Sequence, residues 1–319
     1  MPKISVIMPA FNTEKYIADA IDSVLRQTFA DWELIIVDDG GPDKVAEIAE
    51  KYAAKDKRIK LIRQKNAGQA AARNNALKIA RGEYVGFVDS DDTIDSDFYE
   101  KLMRAAKISG ADIAMAGMRI IDGATTIEYP ALFGTAADFA DKIAAFPNGS
   151  CCDKIFRTEI IKENGIEFPT GLYYEDTAFL IVAAYDANMI VPADTFYNYH
   201  VRGHSTTTIE NAKMITKRDR DRIAVAGCVL DFAYGAARDK RTRDMINQFV
   251  AQRSVFVKLP RRPTHEMKRA LPHGFIRWAY PNKFLKFFYD DAVRKNGVRK
   301  IKILKIPVFV KKPKVCDHA

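Results

Sequence analysis

Apolar residues in the first half of the chain fall into two alternating rhythms. Ile4–Met8 and Leu34–Val37 are short, near-continuous apolar runs, the pattern of strands buried on both faces. Between them Ile17, Ala20, Ile21, Val24 and Leu25 recur at helical spacing, with Asn12 or Thr13 placed to cap that helix. Pro42 suits the first turn of a second helix, whose inner face carries Val45, Ile48, Ala49 and Tyr52. Lys60-Leu61-Ile62 reads as a third, short strand, and a helix from about Gln69 to Ala80 stops near Gly82. Val85–Val88 is a further strand. Asp95 or Ser96 then starts a helix with Phe98, Leu102 and Ala105 inward and Gly110 at its end, before a strand over Asp112–Met118.

Helical connections between continuous apolar strands predict an α/β fold with a mostly parallel sheet covered on both faces. Ligands of such sheets bind beyond the carboxyl ends of the strands. Polar punctuation sits at those ends: Pro9-Ala10-Phe11-Asn12, Asp38-Asp39-Gly40 and Asp89-Ser90-Asp91-Asp92. If the strand continued through the last of these, alternation would point Asp89 and Asp91 the same way. Their carboxylates are hard oxygen ligands suited to Mg²⁺ or Mn²⁺; an acidic turn capping the next helix is the other reading.

The periodicity weakens from about Ala124 to Pro147 and returns over Ser150–His204, with a helix from Asp176 to Asp186. After Asn211 the chain reads as helices, Met214–Tyr234 and Thr242–Lys258. This divides it into a unit over 1–210 and a helical, basic C-terminal extension over 211–319. Of the +9 net charge, the extension holds the excess: His265–Ala319 carries 14 Lys and Arg against 4 Asp and Glu. Cys151, Cys152, Cys228 and Cys316 show no metal or disulfide spacing and read as reduced thiols. No apolar run reaches the roughly 18–20 residues of a membrane span, and Met1-Pro2-Lys3-Ile4 lacks signal-peptide character. The expected location is cytoplasmic.

Five segments, in order, carry a resemblance: Ile4-Ser5-Val6-Ile7-Met8-Pro9-Ala10-Phe11-Asn12, Val37-Asp38-Asp39-Gly40, Asn66-Ala67-Gly68-Gln69-Ala70-Ala71-Ala72-Arg73-Asn74, Asp89-Ser90-Asp91-Asp92 and Tyr174-Glu175-Asp176. Together they resemble the family 2 glycosyltransferases, of GT-A fold, over roughly Pro2 to Thr207. The resemblance implies an inverting transferase using a UDP-sugar, with a donor half over about 1–120 and an acceptor half over about 121–210. Asp39 then matches the carboxylate that accepts from uracil N3–H, and Pro9, Phe11 and Asn12 line the base. Gly68 and the helix after it bring backbone N–H groups near the nucleotide, and Arg73 either orients the acidic cluster or pairs with the diphosphate. Asp89, Ser90 and Asp91 match the D-x-D motif, with Asp91 the direct Mn²⁺ or Mg²⁺ ligand and Asp89 on the ribose or a metal-bound water. Asp92 orients its neighbours.

Inversion requires one base opposite the leaving group. The family's E-D motif assigns it to Asp176, with Glu175 as runner-up or sugar ligand. Tyr197-Asn198-Tyr199-His200-Val201-Arg202-Gly203-His204-Ser205-Thr206 resembles a Y-x-Y-x-x-R-x-x-S segment of many bacterial members. It implies that Arg202 and Ser205 donate to the diphosphate and brings His200 or His204 into reach of the metal. Gly41 stands where the family commonly has Ser, and Asn75-Ala76 replaces a frequent x-Gly; neither removes a carboxylate.

The expected acceptor is a glycan or lipid-linked glycan. Phe284, Leu285, Phe287 and Phe288 among Lys283 and Lys286 suit peripheral docking on an anionic inner membrane face. A solvated helical face on a partner protein is the other use for such a tail, and a homodimer is a further expected partnership. No nucleic-acid-binding module accompanies the charge. A nucleotide-sugar-binding protein without turnover is the competing function. An oxidoreductase is disfavoured, since no G-x-G-x-x-G follows the first strand.

Overall fold

The structure is a computed structural model and describes residues 1–146, 149–203, 212–235, 239–252, Leu271 and the strand residues 301–303 and 306–308. The order is β1 (Ile4–Ala10), α1 (Ile17–Leu25), β2 (Trp32–Asp38), α2 (Val45–Ala53), β3 (Ile59–Arg63), α3 (Gln69–Ile79) and β4 (Tyr84–Phe87). There follow β5 (Thr93–Ile94), α4 (Phe98–Ser109), β6 (Ile113–Asp122), β7 (Thr125–Tyr129), α5 (Phe139–Ala144), β8 (Lys154–Arg157), α6 (Thr158–Glu163), α7 (Glu175–Asp186) and β9 (Ile190–His200). Helices α8 (Ala212–Tyr234) and α9 (Lys240–Gln252) and the hairpin β10 (Ile301–Ile303)–β11 (Ile306–Val308) complete the described chain.

The main sheet runs β3-β2-β1-β4-β8-β6-β9-β5, with β7 added to β6. β3, β2, β1 and β4 are parallel, so their carboxyl ends share one rim. Every residue of β1, β2 and β4 is buried, the state their continuous apolar runs require. β8 then enters antiparallel between β4 and β6, while β9 lies parallel to β6. The fold is GT-A, an α/β sheet with helices on its faces.

Local expectations shift where tertiary pairing intervenes. Thr13 to Tyr16 forms a turn, so α1 begins later than Asn12 or Thr13 would place it, and Tyr16 occupies its N-cap. Pro42 lies in the loop ahead of α2, whose N-cap is Lys44. α4 starts after Asp97 because Thr93 and Ile94 are drawn into β5 against β9. β6 outruns its apolar segment, because β9 and β7 offer it partners as far as Ile121 and Asp122.

An aromatic group lies beneath the rim. Phe87 meets Phe156, Phe168 and Phe179 edge-on at 6.0, 5.3 and 5.8 Å, and Phe168 stacks on Phe179 at 4.0 Å. These rings join β4, β8, the loop before α7 and α7 itself; burying each contributes about 1.5–3 kcal/mol. α8 covers α7, burying Val225, Ala226, Val229, Leu230 and Ala233, and α9 adds Ile246 and Val250. Among the described residues no helix is long and apolar enough to cross a membrane. The aromatic, basic tail around Phe284–Phe288 lies outside the described residues.

Candidate active site

The rim is built by the chain leaving β1, β2 and β4. After Pro9 and Ala10 at the buried end of β1, Phe11 turns outward at 43 % exposure. Asn12 takes a left-handed backbone, φ 57°, which its short polar side chain tolerates. Asp39 follows β2, its N–H donating to the Ala10 carbonyl at 2.9 Å. Its buried carboxylate accepts from Gln64 Nε2, the Ala67 N–H and the Gly68 N–H at 2.8, 2.8 and 2.9 Å. A carboxylate offers about four lone-pair sites, so these donors leave room for about one more. Gly68 thus reaches Asp39 with its N–H. At Gly40, φ is 69° and a Cβ would stand 2.9 Å from the Gln64 carbonyl, so only glycine lets the two loops close.

Asp89–Asp92 is a turn, closed by the Asp92 N–H on the Asp89 carbonyl at 3.0 Å. β4 ends at Phe87, so strand alternation is not what sets Asp89 and Asp91. The buried Ser90 hydroxyl lies 2.8 Å from that of Thr13, tying the turn to the loop after β1. Burial, then the charge of Asp89, raises the Asp91 carboxyl to about 6. The Asp92 carboxyl is pushed well above its ordinary range by burial and by Asp89 and Asp91. Asp92 accepts from the Tyr197 hydroxyl and the His200 N–H, each at 2.8 Å, and Tyr197 in turn accepts from the Asp89 N–H at 3.1 Å.

β9 therefore pins the acidic turn from below. The Arg202 guanidinium, just beyond β9, donates to the Asp91 carbonyl at 3.0 Å and covers the Tyr16 ring at 4.0 Å. His200 Nε2 lies 3.0 Å from the Thr93 hydroxyl, and burial and Arg202 hold its pKa below the usual value. Among the described residues no three His, Cys, Asp or Glu side chains gather as a metal cage. His204 and Ser205 lie outside the described residues.

Arg73 joins the halves. Its guanidinium, 2 % exposed, donates from Nη2 to Asp89 at 2.9 Å, and from Nη1 to Glu175 at 3.1 Å and to Asp176. It sits 5.2 Å over the Phe168 ring. Burial opposes its charge, but Asp176 and Asp89 keep its pKa above the ordinary arginine value. The second Asp176 oxygen accepts from the Cys151 N–H at 3.1 Å. Burial and the neighbouring Asp176 push the Glu175 carboxyl upward, against the pull of Arg73.

Three contributors were not singled out from the sequence. Gln69 Nε2 donates to Asp89 at 2.7 Å. Tyr197, in the Y-x-Y-x-x-R-x-x-S segment, links Asp89 to Asp92. Cys151 contributes a backbone N–H, and no side-chain pattern could reveal that. Both Cys151 and Cys152 are free and buried, and burial raises the Cys151 thiol well above its usual pKa.

The rim thus gathers a buried carboxylate beside an exposed aromatic, an acidic turn and a second carboxylate pair across one arginine. Residues 5–165 match the glycosyl transferase family 2 profile, and the chain belongs to that family. It is 47 % identical over 117 residues to an uncharacterized glycosyltransferase, EpsJ, of Bacillus subtilis, covering 37 % of this chain and 34 % of that protein. It is 32 % identical over 246 residues to a poly(ribitol-phosphate) beta-glucosyltransferase of Bacillus spizizenii, covering 74 % of this chain and 36 % of that protein. The chain thus spans about a third of the length of these two relatives. In fold it is similar to S. aureus TarS 1-349 in complex with UDP-GlcNAc, with TM-score 0.69 at 22 % identity over 98 % of this chain and all of that one.

Proposed function

We propose that the protein is an inverting glycosyltransferase. It moves a sugar from a UDP-sugar to a hydroxyl of a glycan, glycan polymer or lipid-linked glycan. The observation that carries this reading is the Arg73 bridge, which brings Asp89 of the acidic turn and Asp176 of the E-D pair to one guanidinium. Asp89 and Asp176 stand 87 positions apart in the chain, and this one buried guanidinium joins them.

In this reading uracil lies against Phe11, with its N3–H directed to the acceptor capacity left on Asp39. Asp89 and Asp91 supply hard oxygen donors within one turn, a set that fits Mn²⁺ or Mg²⁺. The diphosphate and water would complete the coordination, since no group of three or more such side chains gathers as a metal cage among the described residues. A divalent cation held there would neutralise charge on the departing diphosphate. Arg202, already bonded to the Asp91 carbonyl, adds further guanidinium donors for phosphate oxygens beside the turn.

Asp176 takes the proton from the acceptor hydroxyl as its oxygen attacks the anomeric carbon. The sugar–phosphate bond breaks on the opposite face, and UDP departs with the bonding pair. Arg73 and the Cys151 N–H each hold one Asp176 oxygen, so the lone pair facing the acceptor is set in direction. Relatives named for glucosyl and N-acetylglucosaminyl transfer onto poly(ribitol-phosphate) make UDP-glucose and UDP-GlcNAc the donors to test first.

The deciding experiment is Asp176→Asn, followed by UDP release and by UDP affinity. Transfer should fall about 10²–10⁴-fold with donor affinity retained. Normal turnover in this variant would place the base elsewhere.

A further inference from the structure

Tyr174 stands at the N-cap of α7 with φ 66° and ψ 21°, a left-handed state that a bulky residue rarely adopts. Glu175 and Asp176 follow it directly, so the direction in which α7 leaves the turn decides where both carboxylates point. Strained backbone persists only where its surroundings over-determine it. Here the surroundings include one face of α8, beside the Arg73 and Cys151 contacts that hold the Asp176 carboxylate itself.

Asp221 accepts from the Tyr173 N–H at 2.9 Å and pairs with Lys217 at 2.5 Å. Lys217 Nζ lies 4.0 Å over the Tyr173 ring. One residue further along α8, Arg222 Nη2 donates to the Tyr174 hydroxyl at 3.0 Å, with its guanidinium 4.9 Å over the same ring. The Thr177 N–H closes on the Tyr174 carbonyl at 3.1 Å, joining the clamped turn to the first turn of α7.

We infer that Asp221 and Arg222 are positioning residues for the transfer reaction: α8 holds the Tyr173–Tyr174 turn in its left-handed state and thereby aims Asp176. The inference rests on the reading of Asp176 as the base. It gives α8 a part in the chemistry, although that helix lies beyond the family-matched residues 5–165.

The test uses the full chain with Arg222→Met, Tyr174→Phe and the double variant. Two measurements are made: amide exchange at Tyr173 and Thr177, and UDP release from UDP-GlcNAc and from UDP-glucose with poly(ribitol phosphate) or water as acceptor. Exchange at Thr177 should quicken roughly tenfold in Arg222→Met. The kcat should fall about 10–100-fold, as for a misdirected catalytic group, with the donor KM within about twofold. The double variant should be no worse than the poorer single one. Adding Arg222→Met to Asp176→Asn should leave the residual rate unchanged.

Unchanged exchange at Thr177 in Arg222→Met overturns the inference, whether or not either donor is turned over. A kcat loss matched by an equal rise in donor KM also overturns it, since that marks general loosening. If Asp176→Asn alone turns over normally, the base assignment fails instead, and the exchange data still decide whether α8 holds the turn.

Discussion

Replacing Arg73 with Met removes a buried cation from among three carboxylates, of which Glu175 is buried and Asp89 and Asp176 are partly exposed. Its side chain is 2 % exposed, against 27 % for Asp89, 9 % for Glu175 and 17 % for Asp176. Breaking a buried ion pair costs about 3–5 kcal/mol, because the charge left behind has neither partner nor water. Asp89 keeps the Gln69 amide and some water, so the loss should come mainly from the E-D pair, at about 3–4 kcal/mol. A domain with about 5–15 kcal/mol of stability survives that, with little margin.

The loss should also depend on pH. Arg73 holds the Glu175 carboxyl down against burial and Asp176; without it, the folded-state pKa of Glu175 climbs further above the unfolded value. The folded variant then binds more protons than the unfolded chain between those two values, so its stability falls as pH rises through that window. Urea unfolding of wild type and Arg73→Met at about pH 8 and about pH 5.5 measures both effects. The deficit should be greatest at the higher pH, and adding Glu175→Gln should recover about 1 kcal/mol or more there. A deficit below about 1 kcal/mol at pH 8, or one equal at both values, would refute the view that this cation stabilises the carboxylates.

Glu33, buried between β1 and β3, gives a second pH test. Burial alone would raise its pKa, but hydrogen bonds from Arg81, Lys60 and Ser5 outweigh it and lower the value from 4.5 to about 2. That shift is a ceiling of roughly 3 kcal/mol. Arg81 and Lys60 are 55 % and 37 % exposed, which reduces it to about 1–2. Glu33→Gln should show that deficit near neutral pH, and the deficit should shrink as pH falls below the unfolded value toward the folded one; a constant gap in thermal unfolding contradicts the account. At the acidic turn, Asp91→Asn should remove the Mn²⁺-dependent part of UDP binding measured by calorimetry, leaving the metal-free part in place. Equal Mn²⁺ dependence in both proteins excludes Asp91 as a ligand.

Much of the donor-side scaffold was legible because each of its elements is locally consistent. Continuous apolar strands, helical stripes and acidic strand ends agree, and parallel topology gathers those ends without further information. Residue type alone marks the acidic turn, since strand alternation does not hold beyond Phe87. Helix starts were missed where a distant partner intervened, as when β9 claimed Thr93 and Ile94 and delayed α4.

The sequence by itself determined the family and the order of elements from β1 to β4, and it marked the carboxylates that carry the proposed roles. Those depend on residue type and short-range spacing, which the chain displays openly. Only the tertiary structure decided what each group touches. Asp39 is engaged by the loop before α3, Arg73 is enclosed among Asp89, Glu175 and Asp176, and Tyr174 is held left-handed by α8. Such contacts join residues tens to a hundred positions apart, and a buried charge takes its role from the partners that replace its water.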